Sequence, residues 1–158
     1  MSLLIFGYGN PSRGDDALGP ALLERISELL ATHPAKDDTT LLTDFQLQPE
    51  HTLDLADRDG VLFLDASVSC AAPYAFARLT PQAEVGYTTH AMHPAALLAV
   101  YRQVMASEPP PAWLLTVRGV AFELGEPISI GGQANLDAAF RFVAQFLNEH
   151  VVGQLSHA

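Results

Sequence analysis

The stretch at residues 7–19, GYGNPSRGDDALG, constrains this chain most, because of what stands on either side of it. Before it runs LLIF (residues 3–6), the length of a buried strand and far short of the ~20 apolar residues that span a membrane. After it, Leu18, Leu22, Ile26 and Leu29 recur at helical spacing, and Pro20 sits in the first turn, where its missing N–H costs nothing. A strand, a loop with four glycines and a helix form the opening half of an α/β unit. In such units ligands bind beyond the carboxyl end of the strand, where Asp15 and Asp16 stand here.

The alternation continues. A second strand is expected at residues 40–45, a short helix through Leu53 and Ala56, and a third strand at VLFL (residues 61–64), apolar throughout as in a strand covered on both faces and ended by Asp65. Residues 74–79 read as a fourth strand and 81–89 as a loop. Pro94 opens a third helix with Leu97, Tyr101 and Val104 on one stripe. After the rigid Pro109-Pro110-Pro111 connector comes a fifth strand at residues 113–117, then a turn-rich segment, then a last helix burying Leu136, Phe140, Val143 and Leu147. The pattern predicts a three-layer α/β/α sandwich with a mostly parallel five-stranded sheet, one domain over residues 1–150, and a frayed tail at 151–158.

Composition removes several classes of function. The 158 residues suit one domain. The formal net charge of −10, with Lys36 the single lysine, speaks against nucleic acid, whose phosphates need clustered cations. No signal-peptide pattern or membrane-length run is present, so a cytoplasmic protein off the membrane is expected. Cys70, the lone cysteine, has no partner for a disulfide or a paired-cysteine metal site and reads as a small apolar residue.

Three side chains are candidates for convergence at one sheet edge: Asp16 after the first strand, Asp65 at the end of the third, and His90 in the loop after the fourth. Two carboxylates and an imidazole suit an open divalent-metal site, although acids at strand ends also serve as caps and turn residues. Gly7-Tyr8-Gly9 invites a nucleotide reading, with Asp44 as the ribose acid. That pattern breaks at Ser12, where a third glycine is required, and carboxylates at a helix start repel a pyrophosphate. No G-x-S-x-G elbow is present. Arg13 is expected to pair with Asp15, Glu50 to favour a helix start, and His93 to cap the third helix; His33, His51, His150 and His157 read as surface residues.

The blocks GNPSRGDDALG, QLQPE (46–50), Asp65-Ala66, Thr89-His90 before PAALL, residues 113–119 and FELG (122–125) together resemble the hydrogenase maturation protease family across nearly the whole chain. The resemblance implies an endopeptidase that removes the C-terminal extension of a nickel-iron hydrogenase large-subunit precursor after nickel insertion. It also implies a twisted five-stranded sheet between helices, with Asp16, Asp65 and His90 contacting the nickel carried by the precursor. Zinc or cadmium is expected to occupy such a site in isolation. Ala17 departs from a common glycine, and Asp16 from the glutamate of some members. Asp15 is the candidate general base, with metal-polarised water as the other route, and a monomer is expected. A non-catalytic metal-dependent module that merely holds the precursor is the alternative, with a nucleotide enzyme behind it.

Overall fold

The computed structural model describes residues 2–83 and 92–152. Its strands are β1 (Leu3–Tyr8), β2 (Thr39–Asp44), β3 (Gly60–Ser67), β4 (Tyr74–Leu79) and β5 (Ala112–Arg118), and its helices are α1 (Leu18–Leu30), α2 (Thr52–Leu55), α3 (Pro94–Met105) and α4 (Ile130–Leu147). They form one sheet in the order β2-β1-β3-β5-β4, parallel except for β4, which runs antiparallel to β5.

Strand periodicity of two sends alternate residues to opposite faces, and here both faces are covered. Leu3, Ile5, Leu62 and Leu64 join Leu18, Leu22 and Ile26 of α1 and Leu136, Val143 and Phe146 of α4. Leu4, Phe6, Tyr8, Val61 and Phe63 instead meet Leu55 of α2 and Leu97, Leu98 and Tyr101 of α3. This is the three-layer sandwich expected from the sequence. Arg25 ties α1 to α4 through Asp137 at 2.6 Å and covers the Phe140 ring at 4.3 Å. Among the described residues no helix is long and apolar enough to cross a membrane.

Three local expectations need correction. Asp65 does not end its strand, because β3 continues through Ser67 and pairs Asp65 with Thr116. His51 is no surface residue: it is 9% exposed and packs edge-on against Phe6 at 4.8 Å. Being antiparallel, β4 ends at Leu79 opposite Ala112, the edge where the parallel strands begin. A position after β4 therefore gives no reason to find a residue at their carboxyl ends; the N-terminus of α3 is the element that brings the chain there.

Candidate functional site

From β1 the chain first moves to one side, to β2, and then returns past β1 to β3 on the other side. The crevice at the carboxyl ends of β1 and β3 is therefore a topological switch point. A cavity of 770 Å³ opens there, its wall including Tyr8, Asn10, Arg13, Asp16, Asp44, Asp65 and the α3 entrance at Met92 and His93.

The backbone brings these side chains together at close quarters. α1 begins directly on the sheet: a Cβ on Gly19 would lie 2.5 Å from the main-chain oxygen of Tyr8 and 2.9 Å from that of Leu64. Gly9 takes φ +148° where a side chain would run into the main-chain oxygen of Asp16. Between them a short 3-10 turn, Gly14–Ala17, carries the two aspartates. They face different surroundings.

Asp16 reaches the cavity, and one of its oxygens accepts the Asn10 N–H at 2.7 Å. Asp15 turns inward and is 0% exposed. Its Oδ2 accepts the Val120 N–H at 2.6 Å, the Ala121 N–H at 3.1 Å and the Ser129 hydroxyl at 2.6 Å, while Oδ1 accepts the Ser129 N–H at 2.7 Å. Burial alone would raise the Asp15 pKa, but the Ser129 hydroxyl and these N–H groups outweigh it and hold the carboxyl below its ordinary value. A group so enclosed is an anchor between the β5–α4 connection and the first loop. It does not line the cavity, a placement that speaks against the expected general-base role. The expected Arg13–Asp15 pair is absent as well; Arg13 is exposed and lines the cavity.

Asp65 extends from β3 on the α2/α3 face, and its Oδ1 accepts the Ala66 N–H at 2.7 Å. Burial pushes its carboxyl up to about 6; the negative charge of Asp16 adds to this, while the Ala66 N–H and the Tyr8 hydroxyl pull the other way. Two carboxylates, one from the turn before α1 and one from β3, thus share one cavity and repel each other. His90 lies outside the described residues. Among those described, no three His, Cys, Asp or Glu side chains are grouped to hold a metal ion.

Sequence reasoning missed Asp44 as a cavity acid beside these two. Its Oδ2 accepts from His51 Nε2 at 3.1 Å, while His51 Nδ1 accepts the Gln48 N–H at 2.8 Å, which assigns the imidazole proton to Nε2. The Gln48-Pro49-Glu50-His51 run, a reciprocal cap at the turn before α2, is the signal that could have found the pair. His93 caps α3 as expected, its Nδ1 accepting the Ala95 N–H at 3.0 Å. With Asp16, Asp44 and Asp65 around it, the cavity opposes a phosphate ligand, which argues against the nucleotide reading.

No protein-family model and no curated protein sequence matches the chain. Its fold is shared with solved structures. The [NiFe] hydrogenase maturation protease HycI from Thermococcus kodakarensis KOD1 is 24% identical with a TM-score of 0.68, covering 93% of this chain and 92% of its own. The hydrogenase maturating endopeptidase HybD from E. coli is 21% identical with a TM-score of 0.71, covering 96% and 94%. The hydrogenase 2 maturation peptidase from Thaumarchaeota archaeon SCGC_AB-539-E09 is 21% identical with a TM-score of 0.63, covering 93% and 98%. The five-stranded, mostly parallel α/β architecture is that of these proteins.

Proposed function

We propose that this chain is an endopeptidase that removes the C-terminal extension of a nickel-iron hydrogenase large-subunit precursor, recognising the nickel already held by that substrate. The observation that carries the reading is the pair formed by Asp16, in the turn before α1, and Asp65, within β3, two carboxylates that line one cavity and repel each other. A divalent cation on the substrate relieves that repulsion. Full-length similarity of fold to hydrogenase maturation proteases supports the same direction.

In this reading Asp16, Asp65 and His90 contact the substrate's nickel, so an unloaded precursor lacks the group that docks it. The donor set is borderline in hardness, and free zinc or cadmium competes for it. Among the described residues each of the two aspartates accepts a main-chain N–H, that of Asn10 and of Ala66 respectively, which orients the carboxylate and leaves lone pairs for the cation. With Asp15 enclosed, the carboxylate that accepts a proton from the attacking water is Asp44, held in place by the His51 N–H. Bond cleavage needs that water to add to the scissile carbonyl and the leaving amine to gain a proton.

The experiment is mass analysis of the precursor incubated with this protein, with and without nickel loading. Loss of the C-terminal fragment only from loaded precursor is expected. His90→Ala folds but leaves loaded precursor intact, whereas Asp44→Asn binds loaded precursor as wild type does and fails to cut it. Normal processing by His90→Ala overturns the metal-contact role. If wild type captures loaded precursor without ever cutting it, the chain is a binding module.

A further inference from the structure

Tyr8, the last residue of β1, carries a hydroxyl that packing does not account for. Its ring is 5% exposed and stands edge-on to Phe6, with centroids 6.0 Å apart, within the α2/α3-side core. A phenylalanine would fill that space equally well. Yet the buried hydroxyl has no hydrogen-bond partner among the described residues. A polar atom left in this state costs free energy comparable to a lost hydrogen bond. A fold that keeps it is carrying a donor reserved for something else.

The sheet register identifies what it faces. β1 and β3 pair Gly7 with Leu64, so Tyr8 and Asp65 come next along the two parallel strands, on the face where Phe6 and Phe63 also point. Both residues line the same cavity. The hydroxyl already acts on the Asp65 carboxylate as a donor, pulling its pKa down, without closing to a full hydrogen bond. Among the described residues, the close donor to Asp65 is its neighbour's N–H, that of Ala66, at 2.7 Å.

We infer that Tyr8 is the positioning residue for Asp65: when a cation is taken up at the Asp16–Asp65 pair, the Tyr8 O–H donates to the Asp65 carboxylate and fixes which lone pairs face the ion. The inference rests on the cation-site reading above. Tyr8 stays protonated throughout, since burial first and the Asp65 charge second push its phenol well above its ordinary value. No proton changes hands. The hydrogen bond closes to full strength only in the loaded state, so the metal-free fold bears an under-used buried donor and the loaded one is relieved of it.

This gives Tyr8→Phe two effects of opposite sign. Metal-free Tyr8→Phe should melt about 2–4 °C above wild type, because a buried orphan is removed without loss of packing. Its affinity for Zn²⁺ alone, measured by calorimetric titration at pH 7, should fall about tenfold, the lower end of what loss of such a ligand-orienting partner costs. Unchanged Zn²⁺ affinity in Tyr8→Phe, with Asp65→Asn abolishing binding, overturns the role of Tyr8 and leaves the cation site standing. Wild-type protein that binds no Zn²⁺, or Asp65→Asn that binds it normally, overturns the site and the role of Tyr8 together. A Tyr8→Phe variant that melts below wild type also counts against the inference, since the hydroxyl would then be stabilising the metal-free fold.

Discussion

Asp15 offers the sharpest separation of an anchor from a catalyst. Replacing it with alanine strips four hydrogen bonds from one buried carboxylate and leaves two donating groups of Ser129 and the N–H groups of Val120 and Ala121 facing a void. Hydrogen bonds to a charged acceptor contribute about 1.5–3 kcal/mol each, but they share one group and do not add. Removing one side of a buried charged network costs roughly 3–5 kcal/mol. For a chain of this size each kcal/mol moves the melting temperature by about 2–4 °C, so Asp15→Ala should melt roughly 6–20 °C below wild type at pH 7. Asp15→Asn keeps the shape and one oxygen but turns an amide N–H₂ towards donors, and should fall by about half as much.

The effect also has a pH signature. The carboxyl is held below 3.8 in the folded state, so its contribution is complete above that value and disappears as pH falls through the lower folded one. The gap between wild type and Asp15→Ala should therefore be constant from pH 5 to 8 and narrow only in stronger acid. Calorimetric melting across that range measures it, and precursor cleavage in the cold, scaled to folded protein, gives the second readout. Cleavage should stay within a few-fold of wild type. An Asp15→Asn protein that melts like wild type and does not cleave would refute the anchor and restore the catalytic base.

Two other substitutions test the construction of the cavity. Asp65 is perturbed in the other direction: folding raises its carboxyl from 3.8 to about 6, so the folded state holds the proton more tightly and stability falls as pH rises between those values. Asp65→Asn should remove that slope and gain about 1–3 kcal/mol at pH 7 in urea unfolding, a figure reduced for partial solvent access, while losing Zn²⁺ binding and processing. Gly19→Ala should cost on the order of 3 kcal/mol in the same assay, because its Cβ meets main-chain oxygens of Tyr8 and Leu64 that cannot step aside.

The sandwich was legible because β1 and β3 are covered on both sides and so are apolar without interruption over residues 3–6 and 61–64, while α1 and α4 show their buried stripes at helical spacing. The direction of β4 was not legible, since period-two alternation is the same for either orientation. Asp15 and Asp16 are chemically identical neighbours, and only the 3-10 turn decides which faces the cavity. Their donors and walls come from residues 120–129 and 44–65, separations that local pattern does not span. His51 was misjudged for a related reason. Its partner Asp44 lies seven positions back, across a turn whose shape depends on the Gln48 cap.

Because α1 starts with its main chain pressed on that of β1 and β3, the seat of the turn that carries Asp16 is fixed by contact between peptide groups. Substitution has little to work with there. The upper walls are different: Phe45, Gln46 and Gln48 stand exposed on one side, with Met92 and His93 on the other. Variation that the fold tolerates is thus channelled into these two margins, and exchanging them for those of another domain of this fold should move which segment docks in the cavity while the packing beneath stays unchanged.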